Sequence, residues 1–312
     1  MKHINLFLML CVLCIVVYGI SACSKEENHK PDTDQSIPTP EPDPTPEPEP
    51  DNYTLQGTMQ AAEQLVGKNY SEIHKYMRSY GWDYSEHPNS SDKDHNDGIH
   101  CEVVYDKIIQ QYVFKFIIHA NAEILDGDRG KLEDWQRLEW KFRIPKDFRP
   151  STSFCHIHQL KAQEGNNGSP LITITPRCNS NGSNRRIQVI HTGDKSATNK
   201  GTIIDNLPLS DFEDEWIQVE TEMHYTHNGS FSIKMTRISD GKILVNKSFS
   251  DIDMWRKSAI SIRNKYGIYR SFGRNMDGVD DRPTNGIKDE TLQLADFKVY
   301  EKNTNPNPES HD

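Results

Sequence analysis

The sequence predicts an all-β fold, an antiparallel β-sandwich of jelly-roll, concanavalin-like type preceded by short helices. Three observations predict it. From residue 100 onward, runs of β-branched and aromatic residues recur, separated by Gly, Asn, Asp and Pro. About a dozen such runs follow one another without long helical patterns between them, which indicates two packed antiparallel sheets rather than strand–helix–strand units. One pair is marked as a hairpin: residues 230–237 and 242–249 flank Ile238-Ser239-Asp240-Gly241, where Asp-Gly supplies the turn.

In chain order, residues 1–22 read as a lipoprotein signal peptide. A mildly basic start precedes an apolar run at 6–18, too short to span a bilayer comfortably. Ile20-Ser21-Ala22-Cys23 then places two small residues before a cysteine, so cleavage before Cys23 and lipidation of its thiol are expected. Ser24-Lys25-Glu26-Glu27 resembles the acidic export tag of surface lipoproteins in Bacteroides-type bacteria, which implies the outer face of the outer membrane. Residues 23–52 hold this cysteine and a linker in which Pro alternates with Glu, Asp and Thr. Such a stretch buries no core and extends as polyproline II, so it reads as a tether.

The tether distorts the charge balance. Residues 24–52 hold two basic and nine acidic residues, and Lys2 adds one positive charge, so the formal −10 leaves −4 for the remainder. That mild acidity neither demands nor excludes an anionic ligand. No basic block suggests nucleic acid. Membrane contact is expected through the lipid alone, and the protein is expected to be a monomer. Of six cysteines, Cys101, Cys155 and Cys178 remain after the signal and the lipidated position. Their odd number and the lack of CxxC spacing argue against a disulfide framework and a zinc site, with one bridge left open.

Residues 53–302 form the sandwich domain and 303–312 a polar tail. Residues 57–81 carry a helical pattern of Ala61, Leu65, Ile73 and Met77, read as one or two short helices. Residues 85–98 are polar and turn-rich. The first strands fall at 100–105, 112–120, 138–144, 153–160, 171–175 and 186–191. Later ones fall at 216–225, 230–237, 242–249, 259–263, 267–271 and 291–300.

Three stretches carry chemistry. In SFCHIHQLK (153–161), strict alternation puts His156 and His158 on one face, and imidazole is the side chain that titrates near neutrality. The bland alternative is two surface histidines. In Lys265-Tyr266-Gly267-Ile268-Tyr269-Arg270, alternation puts Lys265, Gly267 and Tyr269 together. The glycine would clear room for an extended ligand, and a tyrosine beside cations can exchange a proton. In Arg137-Leu138-Glu139-Trp140-Lys141, the charged residues share a face. Arg137 could hold a carboxylate there, although a solvated face of cross-strand ion pairs is the simpler account.

Together the three resemble motifs of the jelly-roll polysaccharide lyases: alginate lyases of that fold, glucuronan lyases and the heparin lyase I group. Alginate lyases carry Arg-x-Glu-x-Arg, Gln-Ile-His and Lys-Ala-Gly-x-Tyr strands in this order. Residues 137–141, 156–158 and 265–269 stand for them, with Lys141 closing the first and His156 replacing glutamine. The resemblance implies β-elimination at a uronic acid of an anionic polysaccharide, without a cofactor. It implies that Arg137 and His156 bind the carboxylate, that His158 is the base, and that Tyr269 is the acid, or both acid and base. Lys265 would support the site, with Lys141, Glu139 and Arg270 along the substrate and His119 at the rim. Two other functions fit the same fold: a glycan-binding surface lipoprotein without turnover, and a glycoside hydrolase.

Weaker signals remain. Glu123 and Asp126 have opposite strand parity, unlike the paired carboxylates that hydrolysis needs. Asp126 and Asp128 could ligate a structural Ca²⁺, with an Asp-Gly turn the simpler account. Trp216, Trp255 and Tyr225 could stack on sugars or pack in the core.

Overall fold

A computed structural model describes residues 52–86, 100–118, 122–271 and 287–302, with the side chains of 83–86 and 122–128 excepted. The signal peptide, Cys23, the tether, His119, most of the turn-rich stretch after residue 85 and the tail at 303–312 lie outside the described residues. So do the side chains of Glu123, Asp126 and Asp128.

The chain begins with β1 (Tyr53–Met59), a single 3₁₀ turn, and the helix α1 (Tyr70–Ser79). Asn69 caps α1: its side chain accepts from Glu72 N while the Glu72 carboxylate accepts from Asn69 N, a capping box. The helix buries Ile73 and Met77, two of the residues whose spacing predicted it. The next strands are β2 (Asp83–Glu86), β3 (Cys101–Asp106), β4 (Gln111–Ile118), β5 (Ala122–Gly130), β6 (Trp135–Arg143) and β7 (Cys155–Gln163). The middle of the domain holds β8 (Ile172–Arg177), β9 (Arg186–His191), β10 (Gly201–Pro208) and β11 (Ile217–His224). The chain closes with β12 (Gly229–Arg237), β13 (Ile243–Ile252), β14 (Ser261–Arg270) and β15 (Glu290–Lys302).

These strands make two antiparallel sheets. One runs β13-β12-β11-β6-β15-β4-β3, with β1 also paired to β15; the other runs β10-β9-β8-β7-β14-β5-β2. The all-β sandwich is therefore as expected, and β12–β13 is the hairpin that Asp240-Gly241 announces. Several boundaries differ. Residues 259–263 and 267–271, expected as two strands, belong to the single strand β14. Four strands were not foreseen: β1, β2, β5 and β10. β1 shares residues with the expected helical stretch, and β5 contains the Asp126-Gly127 pair read as a turn.

The core fills the space between the sheets. Trp140 and Phe142 from β6, Phe114 and Phe116 from β4, and Phe297 from β15 meet Tyr266 and Ile268 of β14, all at most 1% exposed. Trp216, Trp255 and Tyr225 are also buried, so they pack rather than present a surface to sugars. Cys101, Cys155 and Cys178 are buried free thiols.

Candidate functional site

β7 and β14 are the central neighbours of the seven-stranded sheet, and their pairing decides which side chains meet. Tyr266 lies opposite His158, whereas Tyr269 lies opposite His156. Three steps on β14 thus span two on β7, a β-bulge. Gly267 sits inside it with φ +129°, a backbone region that glycine enters without strain. Tyr266 and Tyr269 are an odd number of residues apart, so they face opposite sides of the sheet. Alternation also breaks on β7, where the consecutive Ile157 and His158 are both buried toward the core, so that His156 lies on the side of Tyr269.

The two histidines therefore part company, contrary to the expectation of a shared face. His158 points into the core, 2% exposed. Its ring lies 5.2 Å from that of Trp140 on the opposite sheet and 4.7 Å from that of Tyr266. Neither ring nitrogen has a hydrogen-bond partner among the described residues. Burial pushes its pKa down to about 3, so it is a neutral imidazole in an aromatic interior.

His156 sits on the outer face. Its ring stacks on Phe154 at 5.4 Å and lies 6.2 Å from that of Tyr269, which in turn lies 4.9 Å from Phe154. His156 Nδ1 is 2.6 Å from Thr175 Oγ1 on β8. Burial, then the positive charges of Arg177 and Lys161, push its pKa down to about 3. The structure thus adds Arg177 to the neighbourhood. Its own pKa is lowered by burial and by Arg186, the residue directly opposite on β9. Arg177 Nε is buried without a hydrogen-bond partner among the described residues. Sequence reading ended this strand at Thr175 and so missed it. The available signal was the tripeptide Thr175-Pro176-Arg177, which keeps Thr175 and Arg177 in the same strand parity.

Further along the same face β14 places Lys265 opposite Gln159, 1% and 3% exposed. Beyond it, Arg263 lies directly opposite Lys161 on one side and Arg129 on the other. Arg129 Nη1 donates to Gln163 Oε1 at 2.7 Å, and Ser261 Oγ donates to the same oxygen at 2.9 Å.

Arg137, Glu139 and Lys141 are not part of this face. Their strand, β6, lies in the eight-stranded sheet between β11 and β15, and their side chains point away from the core on that sheet's own outer surface. Packed sheets stand about 10 Å apart, so the whole sandwich separates them from Tyr269. Arg137 lies over the rings of Tyr53 and Tyr300, 4.7 and 4.5 Å from their centroids, and 3.6 Å from Glu139. Lys141 pairs with Asp296, and Glu139 with Lys298. This is the ion-paired strand face that was the simpler account of the motif.

Arg270 is also off the outer face. It is fully buried, opposite Cys155, and burial lowers its pKa while Cys155, Glu290 and Asp289 counteract. Of the residues singled out in sequence, His156, Tyr269 and Lys265 share the outer face of the seven-stranded sheet. Among the described residues no cluster of His, Cys, Asp and Glu could hold a metal ion.

No protein-family model matches the sequence, and no curated protein does. Solved structures similar to this chain are alginate lyases. A PL-14 alginate lyase from Aplysia kurodai is 10% identical over 79% of this chain and 98% of that one, with a TM-score of 0.47. A family 7 alginate lyase, solved with a GGMG substrate, is 11% identical over 67% of this chain and 83% of its own, at 0.42. An alginate lyase from Pseudomonas aeruginosa is 15% identical over 63% and 84%, at 0.40. At these identities the neighbours' chemistry does not carry over, and the site stands on this chain's own residues.

Proposed function

We propose that the protein is a polysaccharide lyase that cleaves a uronic-acid polymer by β-elimination on the outer face of the seven-stranded sheet. The carrying observation is that His156 and Tyr269, from strands in direct register, share this face with Arg177 beside the imidazole. Elimination needs a cation for the carboxylate, a base for the C5 proton and an acid for the leaving oxygen. In this proposal Arg177 and Lys265 hold the carboxylate. The C5–H bond breaks and His156 Nε2 takes the proton. The electrons form the C4–C5 double bond, the C4–O4 bond breaks, and the Tyr269 hydroxyl protonates O4. Solvent then returns a proton to Tyr269 and removes one from His156.

The low basicity of His156 is a property of the site without a bound anion. A carboxylate placed a few ångströms away favours the imidazolium and raises that pKa by about 1–3 units. Burial that weakens the base before substrate arrives thus also strengthens its response to the substrate's charge. The lipid anchor at Cys23 and a cell-surface location complete the proposal.

The test is incubation of the purified protein with alginate, glucuronan and heparin, following the ultraviolet absorbance of the unsaturated product. A rise in absorbance that His156→Ala and Tyr269→Phe abolish supports elimination. Reducing ends without absorbance would mean hydrolysis. The second reading, glycan binding without turnover, is favoured by one observation: the arginine strand of the lyase pattern, β6, is in the other sheet. It stands if the polymers retard the protein on an affinity gel and neither product signal appears.

A further inference from the structure

We propose that Thr175 and Thr173 form a hydroxyl relay that fixes the tautomer of His156, leaving Nε2 as the bare, proton-accepting nitrogen. The inference rests on the catalytic reading above but makes a claim about the resting protein that can be tested without turnover. Thr175 Oγ1 and Thr173 Oγ1 lie 3.0 Å apart, and in the proposed relay Thr175 gives its single proton to Thr173. A hydroxyl has one proton to give, so toward His156 the same oxygen can only accept. In that relay the 2.6 Å contact with His156 is made by a hydrogen on Nδ1. A neutral imidazole has one N–H, and the pKa of about 3 keeps this one neutral near pH 7. Nε2 then holds the lone pair.

The setting keeps the relay rigid. Thr175 is 0% and Thr173 4% exposed, so water does not compete for their hydroxyls. Both lie on β8, two residues apart and on one face, which sets their mutual geometry. Their neighbours on β9, Gln188 opposite Thr175 and Ile190 opposite Thr173, introduce no carboxylate. Gln188 is itself engaged with Asp205 at 2.8 Å. The charged groups acting on the imidazole are Arg177 and Lys161, with the Tyr269 ring beside it. Both cations oppose protonation and neither selects a tautomer. The choice between the nitrogens falls to Thr175, whose role is positioning rather than proton transfer to substrate.

The test is ¹⁵N NMR of the full chain with labelled histidine at neutral pH, where protonated and bare ring nitrogens differ widely in shift. His156→Gln identifies the signals by their disappearance. The wild type is expected to show His156 as Nδ1–H with Nε2 bare. Thr175→Val, isosteric but without the acceptor, is expected to shift it toward the Nε2–H form, and Thr175→Ser to restore it. An Nε2–H tautomer in the wild type, or no change in Thr175→Val, would overturn the relay whatever the activity. Where turnover is measured, Thr175→Val should lower kcat by roughly 10²-fold, the lower end of what a positioned acid–base group contributes, with KM nearly unchanged. Thr175→Ser should recover most of it. A wild type that shows the expected tautomer but no lyase activity would sink the catalytic reading and leave the relay standing.

Discussion

At the scale of single residues, His156 and His158 show how one bulge assigns different work to the same side chain. His158 costs stability where it sits. Two buried ring nitrogens without partners cost about 1–3 kcal/mol each in desolvation, offset only by ring contacts with Trp140 and Tyr266. His158→Leu, similar in volume and free of polar atoms, is expected to raise the urea midpoint by an amount worth about 1 kcal/mol and to leave turnover intact. Loss of turnover with an unchanged fold would return His158 to the mechanism. The same residue predicts acid sensitivity. Its pKa of about 3 lies below the 6.5 of a free imidazole. Between those values the unfolded chain binds a proton that the folded chain refuses. Stability is therefore complete above pH 6.5 and falls as pH drops toward 3, by about 1.4 kcal/mol per pH unit for each such histidine. His156, shifted likewise, doubles the slope. Urea unfolding at pH 7, 6 and 5 should show the decline, and His158→Leu should halve it. An unchanged slope in that variant would place its imidazole in water.

At the scale of elements, what was legible in the sequence and what was not divide along a physical line. Alternation and turn chemistry are local, and they placed most strands of the sandwich and the β12–β13 hairpin. Sheet membership is not local. Nothing in Arg137-Leu138-Glu139-Trp140-Lys141 says that β6 pairs with β11 and β15 rather than with β14. Register is not local either: Gly267 was legible as an odd residue in a strand, but only the pairing of β14 with β7 shows that His158 lies opposite the buried Tyr266 and His156 opposite Tyr269. The outcome separates two arginines. Arg137→Ala should cost about 1 kcal/mol of stability through its cation–π contacts with Tyr53 and Tyr300, with kcat unaffected. Arg177→Gln should keep the fold and abolish turnover on polymer. If Arg137→Ala proves inactive yet stable while Arg177→Gln remains active, the site belongs on the other sheet.

At the scale of the whole molecule, a chain of formal charge −10 is proposed to recruit a polyanion, so the distribution of charge has to outweigh its sum. The two outer faces arrange their cations differently. On the eight-stranded sheet, opposite charges neighbour one another: Arg137 with Glu139, Lys115 with Glu102, Lys141 with Asp296, and Arg143 with Asp214. On the seven-stranded sheet cations also stand in register with one another, beside the Arg186–Asp205 ion pair. Arg263 faces both Lys161 and Arg129, and Arg177 faces Arg186. Directly opposed like charges destabilise a sheet by a few tenths of a kcal/mol per pair, a cost that an anion lying across them reverses. The same arrangement makes attraction sensitive to salt, because screening at physiological ionic strength sets in over about 8 Å. Retardation by polyuronate in affinity gels should therefore weaken steeply from low to physiological salt. Arg263→Gln and Lys161→Gln should each weaken it at low salt and flatten its salt dependence, whereas Lys115→Gln on the opposite face should change neither. Binding that ignores salt, or that responds equally to charge removal on both faces, would mean that the seven-stranded sheet is not where the polymer lies.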